Sequence, residues 1–444
     1  MSQLAADTAI VDAPGAMPLL GHFVPLIKNP TGLLRSMSNS GEGVLRVRVG
    51  PWKGYMVCDP ELTHQMLLDD RTFDKGGAVM KNIRDVTGNG IAVCPHADHR
   101  KQRRIMQPAF NKSNHARFAS VIGSELGDAL SVWPEGQLID IISEMRTVSA
   151  RSVIKLMISG LTEAELEHTV EDVKVTMAGM FWRTLLPPPF DILPIPGNVR
   201  FKKSIKRVRK QFGSIVDTYR KQGGGDDLVS YLVRVSDDDG GSLTDEEISA
   251  QVYTVFAAGA DSTAHALGFA LYLIAKHPDV LRKVQAEVDA ILGDRVPTVD
   301  DLDALTYTTQ VITETLRLYP TSWFLSRVST AEAKLGNYRI PKGSDLIFSP
   351  FVVHHRPETC PDVERFDPDR WAGDPQGMKS RLTLVPFGSG PRKCLAEGLV
   401  RLQAVLSLAM MVRRWELRSE SDDIRFGLRL PLSPLGLKMR AFKR

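Results

Sequence analysis

The run from Thr244 to Lys276 constrains this chain most. Thr244 and Glu247 stand in the T-x-x-E spacing of a capping box, where hydroxyl and carboxylate each satisfy a backbone N–H at a helix start. Asp245 and Glu246 place negative charge at the positive end of the helix dipole. Helical patterning then continues to His277-Pro278, where the proline disfavours the helical conformation of the residue before it. About thirty residues at 1.5 Å each make a rod on the order of 45 Å, enough to cross a whole domain.

Everything else has to pack around that rod. Val44–Val49, Gly54–Val57, Tyr338–Ile340 and Asp345–Phe348 read as short strands, the last two flanking the turn Pro341-Lys342-Gly343. Most of Glu61 to Lys276 has helical periodicity, as do Val311–Tyr319, ended by Pro320, and Leu395–Arg414. Prolines 187, 188, 189, 194 and 196 forbid a regular helix over Leu185–Gly197, and Gly223–Asp226 is a glycine turn. Pro357–Trp371, rich in proline and acid, reads as an extended loop. The expected fold is mainly α with small β-sheets. It is expected as one domain over residues 18–444 behind a flexible lead-in, 1–17.

A chain of 444 residues can enclose a cofactor-sized cavity. A net charge of +4 is too mild and too dispersed for a nucleic-acid binder. None of the four cysteines, Cys58, Cys94, Cys360 and Cys394, lies in a C-x-x-C pair, which argues against zinc and dithiol chemistry and for reduced thiols. No window of about 18 residues is free of charges and turn formers, and the N-terminus lacks a signal-peptide pattern. The expectation is a cytoplasmic protein with no membrane anchor.

The middle of the rod is unusual. Val252–Ala260 is mostly apolar or small and contains Gly259; Asp261, Ser262 and Thr263 follow. A glycine inside a helix costs about 1 kcal/mol against alanine, and a carboxylate in a core-facing stretch is costly unless satisfied. Either the helix exposes one polar face there or it has a kinked, hydrated break that serves chemistry, and the second reading is preferred.

A second unusual segment is Pro386-Phe387-Gly388-Ser389-Gly390-Pro391-Arg392-Lys393-Cys394. Its glycines and prolines favour a tight irregular loop, with the cysteine expected at the N-terminal end of the next helix. Backbone N–H groups and the helix dipole there favour a thiolate, a suitable axial ligand for iron whose electron donation promotes O–O cleavage. Gly388 and Gly390 are expected to let the backbone approach a flat macrocycle, and Arg392 to offer a cation to one of its carboxylates.

The spacing F-x-x-G-x-R-x-C resembles the haem-binding signature of the cytochrome P-450 superfamily, and further segments extend the resemblance along nearly the whole chain. Glu314-Thr315-Leu316-Arg317 resembles the family's E-x-x-R, and Phe366–Trp371 resembles the motif whose arginine, Arg370 here, completes a structural Glu–Arg–Arg cluster. Ala258–Thr263 resembles the oxygen-activation motif of the long helix over the haem. That likeness makes Asp261 the acid and Ser262 the alcohol, where the family more often has threonine, with Thr263 sharing the role as an alternative. His99 and Arg103, followed by Pro108-Ala109-Phe110, resemble the pair that reaches haem propionates; Arg327 and His355 are further propionate candidates, and Phe387 belongs to the haem loop. Two positions depart from the family pattern, Ala396 for glycine and Val400 for alanine. Both concern packing below the haem and leave the ligand in place.

The resemblance implies haem b and insertion of one atom of O2 into a C–H bond. No reductase domain follows Cys394, so the electrons are expected from a ferredoxin and ferredoxin reductase, docked near Lys101, Arg104 and Lys393. By analogy the pocket takes residues from Ala78–Ile91, Met177–Leu186, Val255, Ala258, Ser322–Leu325 and Leu430–Leu435, with Ile91, Val255, Ala258, Trp323 and Phe324 foremost. An apolar small molecule is expected, and Phe73–Gly76 and Gln107–Phe110 look similar to bacterial hydroxylases of cyclic sesquiterpenes. The alternatives are macrolide or cyclic-peptide tailoring, direct use of peroxide, and a haem-binding protein without turnover. The acid–alcohol pair argues against the last two.

Overall fold

The computed structural model describes residues 7–444 apart from 186–192, 236–239, 360, 378–379, 381, 421–423 and 428–431. The chain gathers into two compact units. One comprises Met1–Gly77, Thr309–Cys394 and Asp423–Leu435; the other comprises Ala78–Thr308, Leu395–Asp422 and Gly436–Arg444.

The first unit is built on a six-stranded sheet. Its strands run across it in the order Val11–Asp12, Val44–Val49, Trp52–Val57, Asp345–Phe348, Leu325–Ser329 and Phe73–Asp74. The V-L-R-V-R-V alternation splits its apolar residues between the two faces, as a period of two requires. Leu45, Val47 and Met56 pack with Leu34, Met37 and Phe351, while Val44, Val57, Leu346 and Phe348 pack with Met66, Leu67 and Ile340. Val11–Asp12 pairs in parallel with Leu45–Arg46, and Ala13 is buried, so the lead-in expected to be loose over 1–17 is already folded at Val11. The backbone of this strand closes the sheet edge, a gain that hydropathy does not display. Tyr338–Ile340 and Asp345–Phe348 are strands as expected but not partners of each other. Tyr338–Ile340 pairs with Ala333–Leu335, and Asp345–Phe348 sits between Trp52–Val57 and Leu325–Ser329.

The second unit is helical around Asp245–Lys276, with a three-stranded sheet of Trp415–Ser419, Lys438–Lys443 and Leu138–Asp140. Both halves of the Thr244–Glu247 capping box form, and His277 ends the helix. The expected break at Gly259 does not occur: the helix is continuous through all 32 residues. A Cβ on Gly259 would lie 2.9 Å from Val153 Cγ2, so this glycine serves close approach of the helix Ile141–Met157. Gly268 does the same against Ile142, where a Cβ would lie 2.3 Å from Cδ1. The conformational cost of glycine is offset by helix–helix packing rather than spent on a kink.

Candidate active site

In the first unit the Glu–Arg pair forms as its spacing predicts. Arg317 Nε donates to Glu314 Oε2 at 2.8 Å and Nη2 to Oε1 at 2.9 Å, a bidentate contact with both side chains buried. Glu314 also accepts Trp371 Nε1 at 2.9 Å and the Asp367 backbone N–H at 3.1 Å. Arg370 approaches Glu314 at 3.6 Å, while its Nη1 donates to Pro361 O at 2.9 Å. Arg370 thus joins the cluster electrostatically, and the hydrogen bond goes to Trp371. Arg317 pins the following loop by donating to the carbonyls of Val363 and Arg365.

The cysteine loop is tied back to that helix by His354. Its Nε2 accepts the Val385 N–H at 2.8 Å and its Nδ1 donates to Arg317 O at 3.0 Å, which fixes a neutral tautomer. Burial pushes its pKa down to about 3. Farther along, the Cys394 N–H donates to Phe387 O at 2.9 Å, closing the loop on itself. Cys394 is half-buried and precedes the helix, which begins at Glu397 and not directly at the cysteine as expected. The two glycines have different tasks. A Cβ on Gly390 (φ +68°) would lie 2.2 Å from Leu67 O, so it packs on the helix Pro60–Leu68. A Cβ on Gly388 (φ +70°) would meet no atom of the described residues within 4 Å, so of the two glycines this one leaves room for a flat group.

Arg392 has a buried side chain that donates to Asp70 at 2.9 Å and to Asp74 at 3.0 Å. Arg327 is buried over the Phe348 ring, its Nη1 donates to the Ser326 carbonyl, and its Nε has no partner among the described residues. Burial first, and then the positive Arg392, push the Arg327 pKa down to about 10. A buried guanidinium donor left unfilled is costly, and an acceptor placed there, best of all a charged one, would relieve it. His355 is different: it stacks on Phe351, bonds Phe351 O through Nδ1, and is pushed down to about 3 by burial. It packs as a core histidine, and its buried Nε2 has no partner among the described residues. Trp323 is likewise taken up by the core beneath the sheet, which leaves half-buried Phe324, at 4.6 Å edge-on to it, as the pocket candidate of that pair.

In the second unit Asp261 is held by an arginine that no motif announced. Arg146 Nε, on the helix Ile141–Met157, donates to Asp261 Oδ1 at 2.6 Å, with both side chains about one-fifth exposed, at 18% and 23%. Ser262 Oγ donates to Ala258 O at 2.7 Å, leaving its lone pairs to accept. Thr263 differs: it is fully buried and its hydroxyl has no partner among the described residues. His265 is a buried core histidine bonded to Asp261 O. Val255 and Ser262 are half-buried and Ala258 exposed, so one stripe of this otherwise buried helix stays open, and it carries the alcohol. Of the pair on the helix His96–Met106, His99 is buried and Arg103 half-buried, whereas Arg100 and Arg104 are exposed. Leu186, Leu430 and Pro431 of the expected pocket, and Cys360, lie outside the described residues; Cys58 and Cys94 are buried thiols, as expected.

Comparison with known proteins settles the class. Residues 12–437 match the cytochrome P450 family, and the chain belongs to it. It is 36% identical over 416 residues to pentalenene oxygenase of Streptomyces avermitilis, covering 93% of this chain and 92% of that protein. It is 38% identical over 410 residues to cyclooctat-9-en-7-ol 5-monooxygenase of Streptomyces melanosporofaciens, covering 91% and 89%. The crystal structure of the cytochrome P450DA haem domain superposes with a TM-score of 0.88 at 23% identity, covering 99% of this chain and 98% of that one, which establishes the fold. The protein is therefore a cytochrome P450 monooxygenase, and haem b is its cofactor. The side chains fit that group: buried Arg327 has an unpartnered Nε donor that a haem carboxylate would fill, Gly388 leaves room beside its backbone, and Cys394 offers sulfur from a closed loop. Among the described residues, no helix is long and apolar enough to cross a membrane.

Proposed function

We propose that this enzyme hydroxylates a terpenoid-like apolar small molecule, with Cys394 as the thiolate ligand of haem b and Asp261 with Ser262 as the proton-handling pair. Haem b bound through a thiolate supplies O2 activation: two electrons and two protons are consumed, one oxygen atom enters a C–H bond and the other leaves as water. Arg327 and Arg392 hold the propionates from the first unit. His99 and Arg103 take the same task by their likeness to the family. Asp261 supplies protons from a place set by Arg146, and Ser262, whose own proton is engaged by Ala258 O, uses its oxygen as an acceptor beside the reacting atoms.

The observation that carries this reading is the Arg146–Asp261 pair beside an open, alcohol-bearing stripe of the long helix. A haem carrier has no use for a carboxylate held there. The terpenoid preference is supported by the names of two relatives and by the apolar residues Ile91, Val255, Ala258 and Phe324 proposed for the pocket. Electrons are assigned to a ferredoxin and its reductase in the cytoplasm.

Two measurements test this. Cys394→Ser is expected to abolish the long-wavelength absorbance of the reduced CO complex that thiolate ligation produces; a variant that keeps the band has another ligand. Cyclic terpene hydrocarbons, pentalenene among them, are expected to shift the haem spectrum of the wild type where macrolides and cyclic peptides do not. The opposite ranking replaces the terpenoid assignment with the tailoring one.

A further inference from the structure

Two buried glutamines of the second unit form a directed chain of amide hydrogen bonds. The Ile91 backbone N–H donates to Gln251 Oε1 at 2.9 Å, Gln251 Nε2 donates to Gln102 Oε1 at 2.8 Å, and Gln102 Nε2 donates to Asn89 O at 2.8 Å. Both ends of the chain are main chain, an N–H at one and a carbonyl at the other, so each amide has one permitted orientation. Gln102 and Gln251 are both fully buried.

The chain closes over an unusually tight backbone contact. A Cβ on Gly90 would lie 2.0 Å from Thr254 Oγ1 and 2.8 Å from Ala250 O, and one on Gly88 would lie 2.8 Å from Ala250 Cβ. The segment from Gly88 to Ile91 therefore rests directly on the long helix between Ala250 and Thr254, immediately before Val255 and Ala258. Asn89 Nδ2 donates in turn to Asp98 Oδ2 at 2.8 Å, and Gly90 O accepts the N–H groups of Val93 and Cys94. Gln102 belongs to the helix that carries His99 and Arg103. Three elements with no local sequence relation are thus locked by two side chains, and what they lock is the position of Ile91 relative to Val255 and Ala258.

We infer that Gln251 and Gln102 are positioning residues for substrate selection: they clamp the Ile91 segment onto the long helix and so fix one wall of the pocket. The inference rests on the proposed placement of Ile91, Val255 and Ala258 beside the substrate. Replacing either amide by an isosteric apolar chain takes the partner from the half-buried Ile91 N–H or Asn89 carbonyl, and movement of the segment off the helix relieves that loss.

The test uses the haem-loaded enzyme and two probes that bind the haem, imidazole and the bulkier 4-phenylimidazole, with affinities read from the haem spectrum. Only the bulkier probe has to fit between the walls. Gln251→Met is expected to speed amide hydrogen exchange over residues 88–94, to leave imidazole affinity unchanged, and to alter 4-phenylimidazole affinity by about tenfold, the scale of a pocket misfit. With a turned-over terpene, KM should rise more than kcat falls. Gln102→Met breaks the chain one link farther from Ile91 and should act in the same direction, so it serves if Gln251→Met fails to load haem. The double variant should be no worse than the stronger single one, because the chain acts as a unit. Ile91→Phe separates the two layers of the argument. If Ile91→Phe changes the affinity ratio and the glutamine variants do not, the clamp is refuted while the pocket assignment stands. If Ile91→Phe leaves the ratio unchanged, the pocket assignment fails and the clamp's role in selection fails with it.

Discussion

The imidazole of His354 accepts the backbone N–H of Val385 at 2.8 Å. Through its other nitrogen it donates to the Arg317 carbonyl, so one ring joins the end of the Glu–Arg helix to the segment that runs on to Cys394. Protonation would turn the accepting nitrogen into a donor facing a donor.

A pH dependence follows, with a definite sign. Burial lowers the His354 pKa from 6.5 to about 3, so the folded protein keeps the ring neutral while the unfolded chain takes up a proton below 6.5. Stability from this group is complete above pH 6.5 and is lost as pH falls from there toward 3. Buried His355, also lowered to about 3, acts in the same direction. Each contributes a slope of up to about 1.4 kcal/mol per pH unit. Denaturant midpoints followed between pH 7.5 and 5 should fall with pH in the wild type, and fall less steeply in His354→Gln from a lower starting value. An unchanged slope in the variant would contradict the assignment.

The buried Glu314–Arg317 pair predicts a folding defect. Glu314→Ala strands the Arg317 guanidinium and the Trp371 indole N–H; Arg317→Ala strands the Glu314 carboxylate and the carbonyls of Val363 and Arg365. Removing one member of a buried pair costs roughly 3–5 kcal/mol. Little soluble haem-loaded protein should result from either. Trp371→Phe, which loses one hydrogen bond and keeps most of the ring, should be milder by about 2 kcal/mol or more. Normal haem content in both alanine variants would disprove a load on this pair.

How much of this the sequence announces depends on the range of each interaction. The capping box, the stop at His277-Pro278 and the Glu314–Arg317 pair are readable because their partners lie within one helical turn. Arg146 is 115 positions from Asp261, and no local pattern marks it among the residues of its own helix. His354 and Trp371 act on partners brought together by the fold. Gly259 was misread for a related reason: a glycine reports that something small is required, and only the neighbouring Val153 says that a helix is what comes close. The unfilled Nε of Arg327 becomes visible only in the fold, where the nearby Asp70 and Asp74 accept hydrogen bonds from Arg392.

The proposed electron delivery by an acidic ferredoxin predicts a salt-dependent effect of basic residues. Of the residues expected to dock it, Lys101 faces Glu247 at 3.7 Å, so part of its charge is matched; Arg104 is exposed, and Lys393 is half-buried. Charge reversal at Lys101, Arg104 or Lys393 should slow ferredoxin-driven turnover, and the effect should shrink as added salt screens the encounter. Binding of the small-molecule substrate should not change. Ferredoxin kinetics that are unaltered in Arg104→Glu, Lys101→Glu and Lys393→Glu place the docking face elsewhere.

The oxygenase reading depends most on Asp261 and Ser262, and the structure separates what each should do. Asp261 is an acid whose position is set by Arg146; Ser262 is an acceptor, because its own proton is engaged by Ala258 O. Asp261→Asn keeps the shape and loses the proton donor, so reductant should be consumed more slowly, on the order of a hundredfold. Ser262→Ala keeps proton supply and loses the group that steadies activated oxygen, so reductant should still be consumed while hydrogen peroxide replaces product. Arg146→Met lets the carboxylate wander without removing it and should fall between wild type and Asp261→Asn in rate. Thr263→Val is the control. Its hydroxyl is fully buried, unlike that of Ser262, so coupling should stay near the wild-type value unless Thr263 has taken the alcohol's part. The measurement is product formed per reductant consumed, with peroxide assayed in parallel and haem content checked in every variant. Wild-type rate and coupling in both Asp261→Asn and Ser262→Ala would remove the proton relay, and with it the reason for holding an acid at the centre of the long helix.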